Sequence, residues 1–138
     1  KDIYYYHSRS AINTLSTELI EHRNTKKDSI KIIKQKTNTL DNIIEKSPFK
    51  DRKINLLSID IENHEYEALK SFNFKKFKID VIVIEIHDLS QKKLEIYNQS
   101  LDFVVNSKIY KLLNNNGYKL VNWVNSDFIF VLEDFNLN

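Results

Sequence analysis

Four side chains carry the chemistry this sequence offers: Asp60, Glu62, Glu85 and His87. They stand within or just past two apolar runs, Ile54 to Ile61 (INLLSIDI) and Ile79 to Ile86 (IDVIVIEI). A carboxylate at such a place is costly to bury unless it is paired or hydrogen-bonded, and perturbed charges of this kind gather at functional sites. For Asp60 and Glu85 the functional reading therefore outweighs a purely structural salt bridge, while His87 is balanced between the two. Carboxylates beside an imidazole can accept a proton from a reacting hydroxyl. Alternatively, Asp60, Glu62 and Glu85 could share a divalent ion, because hard oxygen ligands suit magnesium or manganese.

Two strands and a helix must position these groups. Side chains alternate along a strand, so Asp60 and Glu62 project to one side at the end of the first run, and Glu85 and His87 to one side at the end of the second. Runs this continuously apolar are expected where helices cover both faces of a parallel sheet. Asn63 opens a sharp strand-to-helix junction, for which asparagine is suited by its tolerance of the left-handed backbone and its preference for helix caps. Glu65 and Glu67 fall in the first helical turn, where the helix dipole favours acids, and Ala68, Leu69 and Phe72 supply the buried face. If the strands are parallel neighbours, all four groups converge at the sheet edge where open α/β sheets bind ligands.

The flanking segments build the rest of an α/β domain. Residues 3 to 20 open on a tyrosine run of high β-propensity and end in a short amphipathic segment. Glu21 to Ser29 reads as a solvated loop or turn. Lys31, Lys34 and Lys36 alternate with Ile30, Ile32 and Ile33 around an edge strand, where lysine deters pairing; this outweighs a phosphate-binding reading. Thr39 to Lys46 predicts a short helix with Leu40, Ile43 and Ile44 on one face, ended by Ser47-Pro48 and followed by a charged turn, Lys50 to Lys53. Asp88 to Gln99 is expected to be an irregular or helical connector anchored by Leu94 and Tyr97. Ser107 to Asn115 predicts a helix burying Ile109, Leu112 and Leu113, with Gly117 as its left-handed C-cap. Tyr118 to Val124 and Phe128 to Leu132 read as two strands joined by Asn125-Ser126-Asp127.

Composition bounds the function. At 138 residues and 41% hydrophobic, the chain can bury one core and is expected to be a single domain or part of one. It has no cysteine, so no thiolate nucleophile, thiolate metal site or disulfide is available. Its 21 basic and 19 acidic residues leave a net charge of +2, which argues neither for nor against nucleic acid. No stretch has the length of a membrane span and no signal layout opens the chain, so a cytoplasmic location is expected. The chain begins at Lys1 and lacks methionine, so it is read as a piece of a longer polypeptide. Its single glycine, Gly117, excludes a glycine-rich nucleotide loop within these residues.

The run IDIENHEYEAL, preceded by TLDNII and followed by VIVIEIH, resembles the FkbM-type methyltransferases, which use S-adenosylmethionine. Asp60, Glu62 and Glu65 match that family's acidic positions, Thr39-Leu40-Asp41 its preceding Thr-Leu-Asp, and Glu85 the glutamate ending the next strand. Asn63 stands where the family has glycine. The resemblance covers most of the chain from Thr39 onward. It implies a Rossmann-like class I methyltransferase sheet, of which residues 1–138 form the C-terminal part only: a single partial domain of parallel strands closed by an antiparallel hairpin. It also implies that the strands bearing the cofactor loop lie outside this chain, so that residues 1–138 alone would be inactive. The implied activity is methyl transfer to a hydroxyl of a saccharide or other small metabolite. Asp60, Glu62, Glu85 and His87 would be the catalytic candidates and Asp60 and Asn63 the cofactor contacts; no nucleic acid partner and no membrane span are implied.

Two other classes use the same residues. A metal-dependent hydrolase or nuclease could activate water through the strand-end carboxylates, and a non-catalytic binding module could retain them without activity. Several groups have plainer readings. Glu65 and Glu67 read as solvated helix-start acids, His64 as exposed at the helix start, His7 and His22 as histidines without ligand-spaced partners, and Trp123 as a core residue.

Overall fold

The computed structural model describes residues 1–5, 13–23, 30–90 and 100–135. The tyrosine run forms strand β1 (Asp2–Tyr5), helix α1 spans Thr17–His22, and strand β2 is Lys31–Lys34. β1 and β2 pair antiparallel with Ile3 opposite Ile33, and all four β2 residues are exposed, as the lysine-flanked edge pattern predicts. Ser16 caps α1 by accepting the Leu19 amide, and Leu19 is fully buried. Helix α2 (Leu40–Glu45) follows Thr39, whose hydroxyl accepts the Asn42 amide. Leu40 and Ile44 pack against the core, but Ile43 is exposed, so the apolar face of α2 is narrower than its sequence spacing predicts.

The chemistry-bearing half follows: β3 (Leu56–Ile59), α3 (Glu65–Lys70), β4 (Val81–Glu85), α4 (Leu101–Asn106), α5 (Lys108–Asn115), β5 (Tyr118–Val124) and β6 (Asp127–Leu132). The four strands form one mixed sheet in the order β3-β4-β6-β5. β3 and β4 are parallel, with Leu56 opposite Val81 and Ile59 opposite Ile84. β6 is antiparallel to both of its neighbours, β4 and β5. The chain is thus mixed α/β, with a mixed four-stranded sheet.

Both central strands are shorter than their apolar runs. β3 stops at Ile59 because the chain then turns sharply, Glu62 and Asn63 having φ of 57° and 69°. Nor do helices cover both faces of β3, an edge of the sheet among the described residues: Leu56 is 59% exposed and Ser58 is exposed. β4 is the buried strand, with Ile82 and Ile84 fully inside. They pack in a core that also holds Leu69, Phe72, Ile79, Val104, Leu113, Tyr118, Phe128 and Phe130. Each fully buried phenylalanine here contributes about 2 to 3 kcal/mol of apolar transfer. The Tyr118 hydroxyl donates to the Ile79 carbonyl at 2.8 Å, tying the start of β5 to the start of β4.

The helices after β4 frame that core. α4 is not foreseen in the sequence pattern; it begins after Ser100 and buries Val104. α5 is capped by Ser107, which accepts the Tyr110 amide, and it buries Ile109 and Leu113 as expected. Gly117 takes the expected left-handed backbone, φ 84°. The β5–β6 connection is Asn125-Ser126, with Asn125 at φ 55°, and Asp127 already belongs to β6. Leu94 and Tyr97, the anchors expected in the connector, lie outside the described residues, as do His7 and residues 24–29 of the expected loop. No helix among the described residues is long and apolar enough to cross a membrane.

Candidate functional site

The parallel register of β3 and β4 decides where the acids meet. With Ile59 opposite Ile84, the next step sets Asp60 beside Glu85, and the β4–β6 register sets Asp127 on the other side of Glu85. A row of three carboxylates therefore crosses the carboxyl ends of β3 and β4. Glu85 is its centre. Its Oε1 lies 2.9 Å from His87 Nε2 and accepts the Ser126 hydroxyl at 3.2 Å. The His87 side chain is only 3% exposed, so it stands behind Glu85, away from solvent. Asp60 and Asp127, on either side of Glu85, are exposed, so an incoming molecule can touch the row at both flanks, and the ionisation of Asp60 is shifted.

This geometry divides the ionisation states. Burial and the repulsion of Glu85, Glu62 and Asp127 push Asp60 up to about 6. Burial acts to raise Glu85 as well, but His87, a hydrogen bond from Asp60 and the Ser126 hydroxyl outweigh it and hold Glu85 below the usual carboxylate range. Burial acts to lower His87, yet the Glu85 carboxylate and more distant acids outweigh that and raise it. Glu85 Oε2 is buried and has no donor while Asp60 is ionised. A proton on Asp60 gives the Glu85 carboxylate a further donor, while that carboxylate in turn favours the charged form of His87.

The loop that presents Asp60 is held from both sides. Glu65 is 4% exposed rather than solvated, because its Oε1 accepts the backbone N–H of Ile61 at 2.9 Å and of Asn63 at 3.2 Å. Burial pushes its own carboxyl up. His64 occupies the N-cap of α3 without a side-chain cap bond and is half-buried, not exposed. Asn63 has the left-handed backbone expected of it but does not cap α3; its Nδ2 instead donates to Ser16 Oγ at 3.0 Å. Thr14 donates its hydroxyl to the Glu62 carbonyl at 2.6 Å, and Arg23 binds Glu62 Oε2 at 2.7 Å. Both side chains of that ion pair are nearly buried, 14% and 12% exposed.

Glu62 therefore leaves the group it was expected to join. Asp60, Glu85 and His87 come together, and the carboxylates able to share one cation are Asp60, Glu65 and Glu85, whose candidate ligand atoms lie within 4.8 Å of one another. Thr14, Ser16 and Arg23 are site-building residues that sequence reasoning missed, since nothing in their weakly patterned segment signals a contact with the β3–α3 loop. Glu65 carried a signal, its place in the acidic run. Trp123 is half-buried and stacks on Phe128 with ring centroids 6.4 Å apart.

A family model described as the methyltransferase FkbM domain matches residues 2–120. The chain belongs to the FkbM methyltransferase family. No curated protein and no solved structure matches it significantly. The family typically takes S-adenosylmethionine, and the donor set of this FkbM domain fits that ligand in sign: three carboxylates at one end of the sheet would complement a cationic sulfonium and ammonium. Gly117 is at the opposite end of the sheet, where Glu133 donates to its carbonyl, so glycine has no part in this tip.

Proposed function

We propose that this FkbM domain supplies the acceptor side of a methyl transfer to a hydroxyl of a saccharide or other small metabolite, with S-adenosylmethionine as donor and the cytoplasm as its compartment. The four strands then correspond to the C-terminal part of a Rossmann-like class I sheet: β3 and β4 parallel through α3, and β6 inserted antiparallel beside β4. The observation that carries the proposal is the Asp60–Glu85–His87 row, in which the exposed member has a pKa of about 6.

S-adenosylmethionine supplies an electrophilic methyl group when bound. The chain's own residues hold and deprotonate the acceptor. Asp60 takes the hydroxyl proton, and its pKa near working pH suits a general base. Glu85 and His87 are positioning residues: Glu85 fixes the Asp60 carboxyl, and His87 keeps Glu85 ionised at lower pH. Asp60 and Asn63 are the residues that would contact the donor, and orientation of the oxygen would supply much of the rate.

The test is S-adenosylhomocysteine formation by the natural full-length polypeptide with a panel of sugars and small alcohols. Turnover is expected to rise with pH through about 6, as Asp60 loses its proton, and to fall by about 100-fold or more in Asp60→Asn. Full activity in that variant would remove Asp60 from the role. Failure to bind S-adenosylmethionine in calorimetry would remove the methyl-transfer reading itself.

A further inference from the structure

The end of the sheet opposite the acidic tip carries a second concentration of charge. Residues 50–54, which lead into β3, and residues 75–78, which lead towards β4, line a cleft of about 490 Å3. Its walls bring together Lys50, Arg52, Lys53, Lys75, Lys76 and Lys78 against a single acid, Asp51. The chain as a whole is only +2, so this one cleft is more positive than the entire molecule and the remainder is net acidic.

Surface lysines are ordinarily just solvated, and three features set this group apart. The cations come from two separate loops and converge on a concavity instead of spreading along an edge. Partial neutralisation is built in: Lys53 binds Asp80 at 2.8 Å, and Lys76 pairs with Glu45. Lys50, Lys75 and Lys78 make no ion pair among the described residues. Like charges crowded around a low-dielectric wall repel one another and focus a positive field, which an anion in the cleft would relieve. The volume is that of a small-ligand site.

We propose that this cleft binds a phosphate-bearing ligand. Lysine ammoniums act as point charges for phosphate oxygens, and the Arg52 guanidinium, which now lies over the Phe49 ring at 5.6 Å, offers a planar fork for two of them. Phe77 and Ile54 give the cleft an apolar wall for the organic part of such a ligand. The same chemistry is offered by a soluble polyphosphorylated compound and by a phosphorylated lipid headgroup. Neither source depends on the methyl-transfer reading, because the cleft and the acidic tip lie at opposite ends of the strands.

The experiment titrates the full chain at low salt with inorganic tripolyphosphate by calorimetry. In parallel, the chain is sedimented with phosphatidylcholine vesicles with and without a minority of phosphatidic acid. Tripolyphosphate binding supports a soluble ligand, and sedimentation only with phosphatidic acid supports the headgroup. The variant Lys50→Gln/Lys75→Gln/Lys78→Gln is expected to bind at least about tenfold more weakly, since each charge-assisted contact is worth more than a neutral one. A control that removes equal charge elsewhere, Lys31→Gln/Lys34→Gln/Lys36→Gln, is expected to stay within about twofold, because screening confines the effect to nearby charges. Arg52→Gln alone should weaken binding as well, giving a second variant with little demand on folding. Binding of neither probe, or equal weakening in the cleft and control variants, overturns the proposal.

Discussion

Replacing Asp60 by asparagine is expected to make the folded chain more stable while it removes activity. The Asp60 carboxyl is raised from 3.8 to about 6, first by burial and then by its acidic neighbours, so the folded state holds this proton more tightly than the unfolded state does. Between those two values the native chain binds the extra proton, and stability therefore falls as pH rises across the window. A shift of this size amounts to about 3 kcal/mol for a group shielded from water. Asp60 is exposed, and solvent screening reduces that to about 1 kcal/mol. Asparagine stands in for the neutral acid and can still donate to Glu85, so the variant avoids the cost. For a chain of this size the gain is about 3 °C in melting temperature at pH 7.5, shrinking to a small fraction of that at pH 4, where Asp60 is protonated in the folded state and partly protonated in the unfolded one. Thermal unfolding followed by circular dichroism at the two pH values measures it. A variant that melts lower at pH 7.5, or that gains as much at pH 4, would refute the idea that Asp60 carries uncompensated charge.

Three further outcomes follow from the same geometry. His87→Ala leaves Glu85 as a nearly buried charge without its partner and is expected to cost about 3 kcal/mol. Because Glu85 is lowered and His87 raised, the pair is intact above the ordinary carboxylate value of 4.5 and lost as pH climbs past the raised His87 value. The destabilisation in urea should accordingly be largest near pH 6 and smaller at pH 9. Asn63→Ala puts at φ 69° a residue that tolerates the left-handed backbone less well than asparagine and also breaks the bond to Ser16, for an expected loss of about 1 to 2 kcal/mol, whereas Asn63→Gly loses only the bond and stays within about 1 kcal/mol of the parent; paired denaturant curves decide this. Chelation with EDTA is expected to leave turnover within about twofold, since Asp60 takes the proton itself. A loss restored by magnesium or manganese would assign Asp60, Glu65 and Glu85 to a cation instead.

The readable part of the site came from residues whose environment is set by near neighbours in sequence. Two apolar runs ending in acids give β3 and β4, and their parallel register follows from the helix between them, so the meeting of Asp60 and Glu85 is legible. The left-handed Asn63 is legible too, because a tight strand-to-helix turn needs a positive φ and asparagine supplies it at low cost. Glu62 was misplaced for a physical reason. Alternation along an ideal strand sends it to the same side as Asp60, but Glu62 itself adopts a positive φ, which ends the strand geometry and turns its carboxylate to Arg23. That partner is 39 residues upstream, and no periodicity links them. Glu65 was misjudged because a first-turn acid is usually solvated, whereas the turn leaves the Ile61 and Asn63 amides needing an acceptor inside.

The contacts that hold the β3–α3 loop also explain how the acidic row is tolerated. Asp60 is poised at a raised pKa only if its loop cannot relax and carry the carboxylate out into water. Two consecutive non-glycine residues with positive φ would do so if unsupported, at about 1 to 3 kcal/mol of strain each. Thr14 on the Glu62 carbonyl, Arg23 on its carboxylate, Ser16 on Asn63 and Glu65 on two amides together over-determine that loop. The segment from Thr14 to Arg23 thus acts as a clamp whose effect is read at Asp60, although none of its residues belongs to the row. Removing the Glu62 carboxylate, as in Glu62→Gln, frees the loop from Arg23 and takes away one of the acids that raise Asp60, so it should lower the Asp60 pKa towards its ordinary value before it unfolds anything, and the acid limb of turnover should move with it.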